Sequence, residues 1–328
     1  MGVTLSWTRP QACVLTGPPR SHVIVGDMIA EAIGARRCRR LDDCRDCGRI
    51  IFMDNLNFYT APLVRRLGPE RVVLYLVAEG PSNVKLDAAA ASVLSKVRAV
   101  ASPSRFSAQF VEEALRPAGR GVDAIVPHGI SLPGGQVEVG GREGMLYRAY
   151  YMKRKYPGYG IAAVAEFLRR HPGYPIDIYA TGAPMDVIYL QQVLPNVRQV
   201  PDMPREELER LYLSHRFWLN LSDCEGFGMM PLEAMARGEV VIAPRIPAFE
   251  ETVPPDTNFL VPVDGTWDEY WWYLNIRHYK YDPEDMVEAM ERAVETPEAV
   301  LDSYAEENVK WAAQFDYRKV YIRFLELL

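Results

Sequence analysis

Short runs of apolar, β-prone residues alternate with segments of helical periodicity along most of this chain. The longest apolar run, 71–78 (RVVLYLVA), has the length of a strand buried on both faces and is too short to span a membrane. Apolar positions recur at helical spacing in 84–96 and 103–116, and another apolar run lies between them at 97–102. This alternation predicts parallel sheets covered by helices, which is an α/β fold.

The alternation is interrupted near the middle of the chain. Residues 131–143 (SLPGGQVEVGGRE) are rich in glycine and lack periodicity, as is typical of a linker between domains. A second series of strands and helices follows, with predicted helices at 161–170, 185–194 and 204–214. Together with the length of 328 residues, this pattern predicts two doubly wound domains.

The most informative local pattern lies at 222–244, where the sequence predicts a glycine loop, a helix and a buried strand. Pro231 suits the first turn of the helix, and Gly238 ends it. A glycine loop that leads into a helix presents backbone N–H groups to an anion such as a phosphate. Glu225 and Glu233 would instead accept hydrogen bonds from hydroxyls, so the pattern favours a nucleotide sugar. The alternative is an ordinary turn with two exposed glutamates.

Composition narrows the class of partner. Hydrophobic residues make up 48% of the chain, which is enough for two cores. The formal net charge of −6 disfavours a general nucleic-acid surface, so no nucleic-acid partner is expected. Because no signal peptide is recognisable, we expect a cytoplasmic location.

Two groups of residues leave alternatives open. Cys38, Cys44 and Cys47 lie close together in sequence, and they suit a disulfide, a metal site that would need a fourth ligand, or a basic loop without special chemistry. Trp267, Trp271 and Trp272 form an aromatic cluster that favours packing between protein surfaces. The alternatives for this cluster are stacking on a sugar and a peripheral contact with the inner face of the membrane.

The string EGFGMMPLEAMARG, from Glu225 to Gly238, resembles the E-x7-E signature of retaining GT-B-fold glycosyltransferases, the group of glycogen- and sucrose-synthase-like enzymes. The stretch 97–130 also looks like the end of their N-terminal domain. The resemblance implies two Rossmann-like domains facing a cleft. These are an acceptor-binding domain at 1–135 and a nucleotide-sugar-binding domain at 136–305. The resemblance also implies a C-terminal helix at 306–328 that crosses back onto the N-terminal domain.

The resemblance also implies roles in donor binding. Glu225 is expected to contact the donor sugar and Glu233 the ribose hydroxyls. The loop N–H groups are expected to line the sugar and the phosphates. The further donor-binding candidates are Gly226, Phe227, Gly228, Met229, Gly182, Val200 and Gly17, although two prolines follow Gly17 where relatives have glycines.

Cations are expected beside the leaving diphosphate, because a reaction without a metal must neutralise its charge through the protein. Arg148 matches the family's arginine at the end of the first strand of the C-terminal domain. Lys153 matches the family's lysine by its five-residue spacing, and Lys155 competes with it. We expect neither a metal nor a cofactor.

The N-terminal domain offers fewer matches. Many relatives have a histidine after a central strand, where this chain has Glu79. Asp54 and His128 are the other candidates on this side of the cleft. Arg20 and His22 could also face the cleft, but a surface position is favoured for both.

The resulting hypothesis is a metal-independent retaining glycosyltransferase. It would use a UDP-, GDP- or ADP-linked sugar, and a hydroxyl of a carbohydrate, lipid or protein glycan as acceptor. The alternatives are an inactive nucleotide-sugar-binding protein and a phosphorylase or epimerase on the same fold.

Overall fold

The computed structural model describes residues 12–150, 153–155, 157–181, 197–200, 204–271 and 274–328. Within them the chain forms two six-stranded parallel sheets and a two-stranded ribbon, which confirms the predicted α/β fold. The helix predicted at 185–194 lies outside the described residues.

The chain separates into two compact units. The first contains residues up to Gly129 together with Glu269–Ile276 and Phe315–Leu328, and the second contains Ile130–Asp268 and Arg277–Gln314. Each unit has its own hydrophobic core between a sheet and its helices.

The sheet of the first unit has the strand order β2-β1-β3-β4-β5-β6. All five residues of β4 are buried, as expected for a central strand covered on both faces. The elements are β1 Ala12–Thr16, α1 Arg20–Ile33, β2 Arg36–Arg37, β3 Arg49–Asp54, α2 Thr60–Leu67, β4 Val72–Leu76, α3 Ala88–Leu94, β5 Ala99–Ser102, α4 Arg105–Leu115 and β6 Ala124–Ile125.

The sheet of the second unit has the order β12-β11-β10-β7-β8-β9. Its strands are β7 Met145–Tyr150, β8 Ile176–Thr181, β9 Val197–Val200, β10 Phe217–Leu219, β11 Val240–Pro244 and β12 Phe259–Val261. Its helices are α5 Gly158–Arg170, α6 Arg205–Ser214, α7 Met229–Met235, α8 Pro247–Glu250, α9 Pro283–Glu295 and α10 Glu298–Ala312. Among the helices in the part of the chain that the structure describes, none is both long and apolar enough to cross a bilayer.

Local hydrogen bonds set two boundaries that the sequence pattern placed elsewhere. The helix expected from residue 84 begins at Ala88, because the side chain of Asp87 caps it by accepting from the N–H of Ala90. The apolar, β-prone run 217–222 (FWLNLS) would allow a strand up to residue 222, but the strand ends at Leu219. The side chain of Asn220 accepts from the N–H of Ser222 and turns the chain out of the sheet.

The C-terminal segment, with helix α11 Tyr317–Val320 and a 3-10 turn at Tyr321–Glu326, lies on the first unit. The hydroxyl of Tyr317 donates to Glu31 of α1, and the N–H of Gly129 donates to the hydroxyl of Tyr321. Arg49 and Arg98 donate to the carbonyl groups of the last two residues. The GT-B resemblance implies a crossing-back helix at 306–328, whereas the part that belongs to the first unit is Phe315–Leu328.

The cysteines are arranged differently from the expectation. The sequence pattern grouped only Cys38, Cys44 and Cys47, because they lie close together in sequence. A disulfide joins Cys47 to Cys13 in β1. The reason is the strand order: β1 lies between β2 and β3, so it brings Cys13 beside the loop that connects them.

The aromatic stretch near Trp267 forms the two-stranded ribbon, with β13 Gly265–Trp271 and β14 Leu274–Lys280. Trp267 is 41% exposed and stacks on His278, with ring centroids 4.6 Å apart. The side chain of Trp271 and all of Trp272 lie outside the described part of the chain. The proposed membrane contact therefore stays a prediction.

Candidate functional site

The order of strands in the second unit creates a switch point between β7 and β10. The chain runs outward from β7 through β8 to β9 and then returns to the other side of β7 as β10. In doubly wound sheets, ligands bind beyond the carboxyl ends of the strands at this point. The loop 220–228 follows β10, and the basic segment 153–155 follows β7.

Glu225 lies at this switch point and is paired with cations. The Nζ of Lys155 donates to Oε1 of Glu225, and a guanidinium nitrogen of Arg154 lies 3.8 Å from Oε2. Glu225 is only 8% exposed, and Lys155 is equally buried. Burial alone would raise the pKa of Glu225, but Lys155 and Arg154 outweigh it and hold the pKa below its usual value. Glu225 therefore stays ionised.

Backbone contacts fix the two segments against each other. The N–H of Asp223 donates to the carbonyl of Arg154, and the guanidinium of Arg154 donates to the carbonyl of Cys224. The hydroxyl of Tyr147, on β7, donates to the carbonyl of Lys155. The carboxylate and both cations are thus held by the ends of two adjacent strands.

Asp223 is the centre of a second buried network. One of its oxygens is 2.7 Å from Nδ1 of His278, and the other accepts from the hydroxyl of Tyr159 at 2.7 Å. Its carbonyl also accepts from the N–H of Tyr279. These bonds attach the ribbon and helix α5 to the residue that lies two positions before Glu225.

Gly228 makes the turn between the loop and α7. Its φ is +93°, a region that L-residues with a side chain avoid. A Cβ atom at this position would also lie 2.6 Å from the ring of Phe249. The loop can therefore turn into the helix here only with glycine.

We expect Gly228→Ala to destabilise the second unit through both backbone strain and this clash. Gly173→Ala is a matched control, because Gly173 has a φ of +97° and open space around it. The free energy of unfolding should fall further in Gly228→Ala than in Gly173→Ala, by about 1–3 kcal/mol from overpacking. Denaturant unfolding of both variants measures the difference, and equal losses would show that Phe249 moves aside.

Glu233 lies half-buried on α7, eight residues beyond Glu225 in the preceding loop. Tyr212 of α6 lies near both Glu233 and Arg148, and its pKa is raised by burial first and then by the charge of Glu233. Arg148, near the end of β7, is also half-buried. The structure thus brings Glu225, Glu233 and Arg148 to the same edge of the sheet.

The first unit has a switch point of its own, between β1 and β3. Gly17 follows β1, and Asp54 ends β3. A Cβ atom on Gly17 would lie 2.3 Å from a carboxylate oxygen of Asp54, so glycine is required for their close approach. Gly17 therefore makes room for Asp54.

Asp54 is buried, with its carboxylate accepting from the N–H of Asn55 at 2.8 Å and from the side chain of Asn57 at 3.1 Å. Burial raises its pKa to about 6, although these two bonds oppose the shift. Nδ1 of His22 lies 3.8 Å from Asp54, and burial lowers the pKa of His22 to about 4. His22 is therefore buried beside Asp54, and the expectation of a surface position was wrong.

His128 lies after β6 and is buried beside the core. The hydroxyl of Tyr75 donates to the carbonyl of Val126, so it accepts the Nδ1–H of His128 at 2.7 Å. Burial, and then the nearby His22, lower the pKa of His128 to about 3. Glu79 is half-buried after β4, at the same edge of the sheet.

The structure describes three other candidate residues only in part or not at all. Gly182 lies outside the described residues, and Val200 ends β9 at the same edge as β7. Lys153 lies in the 3-10 turn Lys153–Lys155, but its side chain is not among those described. Among the described side chains of this turn, Lys155 is the lysine that reaches Glu225.

The sequence pattern gave no role to Arg154, Asp223, Tyr159 or His278. Asp223 and His278 are 55 residues apart, so their spacing carries no local signal. Arg154 lies in the basic segment 153–155, but its contacts depend on which strand lies beside β7 in the sheet.

Comparisons with known proteins agree with this geometry. Residues 184–276 match the family model described as glycosyl transferases group 1. A protein of Sulfolobus islandicus rod-shaped virus 1, named uncharacterized glycosyltransferase 335, is 32% identical over 132 residues, which are 37% of this chain and 36% of the relative. The matches to viral relatives cover 24–36% of the relatives' length.

Solved structures cover much more of the chain. A UDP-forming α,α-trehalose-phosphate synthase from Burkholderia xenovorans superposes with a TM-score of 0.63 and 13% identity, covering 95% of this chain and 79% of that one. The pneumococcal O-GlcNAc transferase GtfA, in complex with UDP and GlcNAc, also gives 0.63 and 13%, covering 94% and 60%. The chain therefore has the GT-B fold and resembles group 1 glycosyltransferases.

Proposed function

We propose that the protein is a retaining, metal-independent glycosyltransferase that moves a sugar from a nucleoside-diphosphate sugar to an acceptor hydroxyl. The observation that carries this proposal is the buried cluster of Glu225, Lys155 and Arg154 at the switch point of the second sheet. The family match across 184–276 supports it, because that segment includes the whole glycine loop and α7.

The second unit is the proposed donor-binding domain. The leaving diphosphate carries concentrated negative charge, which Lys155, Arg154 and Arg148 would neutralise. Lys155 donates to Glu225, so a phosphate group of the donor would compete for its ammonium protons. Glu225 would then accept hydrogen bonds from hydroxyls of the donor sugar.

Glu233 is proposed to accept from the ribose hydroxyls, because it lies on the same edge and is half-buried. The N–H groups of Phe227, Gly228 and Met229, together with Gly226, would line the sugar and the phosphates. Lys153, Gly182 and Val200 remain proposed donor contacts on the strength of the resemblance.

The first unit is the proposed acceptor-binding domain, with Asp54 and His22 as the groups that bind the acceptor hydroxyl. When ionised, Asp54 accepts a hydrogen bond, and neutral His22 offers either a donor or an acceptor nitrogen. In front-face transfer, an oxygen of the leaving phosphate takes the proton of the acceptor hydroxyl, so Asp54 is needed for positioning rather than as a base. Glu79 and His128 belong to the same proposed surface.

Calorimetric titration with UDP-, GDP- and ADP-linked sugars tests the donor site. We expect one nucleotide to bind with a dissociation constant of about 1 μM to 1 mM, and slow hydrolysis of its sugar that EDTA does not stop. Glu225→Gln and Glu233→Gln should each weaken binding or abolish turnover, whereas Glu250→Gln, at an exposed position, should match the wild type.

The other outcomes identify the alternatives. Binding without turnover over a panel of acceptors would indicate an inactive nucleotide-sugar-binding protein. Turnover that requires free phosphate, or that converts the nucleotide sugar without an acceptor, would indicate a phosphorylase or an epimerase. Loss of turnover with EDTA and its recovery with a divalent ion would contradict metal independence.

A further inference from the structure

Four of the five cysteines lie together in the core of the first unit, away from the residues assigned to donor and acceptor. Cys13, Cys38, Cys44 and Cys47 are all at most 2% exposed. The sulfurs of Cys13, Cys38 and Cys47 lie within 4.8 Å of one another. Cys44 belongs to the same buried cluster, and its carbonyl accepts from the N–H of Cys47, which keeps the fourth cysteine beside the other three.

We propose that the reduced chain binds one zinc ion through the thiolates of Cys13, Cys38, Cys44 and Cys47. Tetrahedral zinc with four sulfurs has Zn–S bonds of about 2.3 Å, which places the sulfurs about 3.8 Å apart. Reduction of the disulfide lets the sulfurs of Cys13 and Cys47 move apart to this distance, and the sulfur of Cys38 already lies within 4.8 Å of both. The fourth ligand that the sequence pattern left open for Cys38, Cys44 and Cys47 is thus Cys13, supplied by β1.

The segments that carry these sulfurs are already held in place by their backbones. The N–H of Cys38 donates to the carbonyl of Val14, which ties it to the strand of Cys13. The N–H of Cys47 donates to the carbonyl of Cys44, which closes the C-x-x-C turn. Arg71 donates to the carbonyl of Cys44 at 3.1 Å and so anchors this turn to β4. The backbone of these segments therefore needs little further ordering when the metal binds.

The surrounding charges suit a site with a net negative charge. Zinc with four thiolates carries two excess negative charges, which are costly to bury without cations. Arg36 donates to the sulfur of Cys47 at 3.2 Å. Arg36 is in turn held by Asp46. Metal-bound thiolates commonly receive such outer hydrogen bonds.

The disulfide between Cys13 and Cys47 is the oxidised state of the same cluster. A dithiol reductant supplies two electrons and two protons, which break the S–S bond and leave two thiols. Zinc then forms four Zn–S bonds, and the thiol protons pass to solvent. The disulfide by itself gives no role to Cys38 and Cys44, which are buried against it as free thiols.

The test uses the full chain, reduced with a phosphine and desalted. Zinc content is measured by plasma mass spectrometry, and Co²⁺ titration reports thiolate ligands by its charge-transfer absorption. We expect about one zinc per chain, with Co²⁺ bands of a tetrahedral sulfur site. Cys224→Ser is the matched control, because it removes a buried free thiol of the second unit and should retain the metal.

Cys38→Ser and Cys44→Ser should each weaken metal binding by roughly 10-fold or more, and Arg36→Met by about 10–100-fold. Both serine variants keep Cys13 and Cys47, so their oxidised forms can still fold and circular dichroism checks this. A reduced wild-type chain that folds and binds neither zinc nor Co²⁺ would overturn the proposal. Metal binding as tight in Cys44→Ser as in the wild type would also overturn it, because Cys44 would then not be a ligand.

Discussion

Replacing Lys155 with methionine is expected to cost the protein both stability and transferase activity. The change leaves the carboxylate of Glu225 buried, and among the described side chains Arg154 is its remaining cation, with its nearest nitrogen 3.8 Å away. Removing one partner of a buried ion pair typically costs about 3–5 kcal/mol, and the remaining Arg154 should keep the loss at the lower end. Transfer should fall by about 100–1000-fold, because the leaving diphosphate loses a cation.

The double variant Lys155→Met/Glu225→Gln separates the two effects. Without a charge on residue 225, the buried site no longer contains an uncompensated carboxylate, so most of the lost stability should return. Activity should not return, because both the cation and the sugar-binding carboxylate are missing. Denaturant unfolding and donor turnover should be measured on the wild type, on Lys155→Met and on the double variant.

Arg245→Met provides the control for losing a surface ion pair. Arg245 and Glu250 are 3.1 Å apart, and each side chain is more than half exposed, so this change should cost less than about 1 kcal/mol. If Lys155→Met were no more destabilising than Arg245→Met, the ion pair with Glu225 would not exist in solution. If the double variant transferred sugar at the wild-type rate, the proposed roles of both residues would be wrong.

Local sequence pattern was sufficient for the glycine loop and for the alternation of strands and helices. The loop from Glu225 to Gly228, helix α7 and strand β11 are adjacent in sequence, so their geometry follows from turn residues and periodicity. The α/β class follows in the same way. These features depend on neighbours within a few residues, which a sequence displays directly.

Contacts set by strand order could not be predicted. The pairing of Lys155 with Glu225 depends on β10 lying beside β7, and spacing from Arg148 favoured Lys153 instead. The disulfide between Cys13 and Cys47 depends on β1 lying beside β3. In both cases, residues far apart in sequence meet because strands are adjacent, and periodicity does not determine which strands are adjacent.

The Asp54→Asn variant is expected to be more stable than the wild type at neutral pH and less active. Burial raises the pKa of Asp54 from 3.8 to about 6. A carboxyl group with a raised pKa contributes stability that is fully present below pH 4 and is lost as the pH rises through 6. At pH 7–8 the ionised carboxylate is therefore a net cost of up to about 3 kcal/mol, which asparagine avoids.

The pH dependence identifies the cause of this gain. The variant should exceed the wild type in free energy of unfolding at pH 8, and the difference should shrink to near zero by about pH 4. His22 acts in the opposite direction, because burial lowers its pKa to about 4 and it loses stability as the pH falls from 6.5. Asp42→Asn, at an exposed position in the same unit, should show no such gain.

A stabilised but less active variant would mean that Asp54 is kept ionised for function at the expense of stability. In the proposed site the ionised carboxylate would accept a hydrogen bond from the acceptor hydroxyl, and the amide that replaces it offers a weaker acceptor. We therefore expect Asp54→Asn to raise KM for the acceptor or lower kcat while donor affinity stays unchanged, since the proposed donor site lies in the second unit. An unchanged rate at saturating donor, or a variant less stable than the wild type at pH 8, would remove Asp54 from the acceptor site.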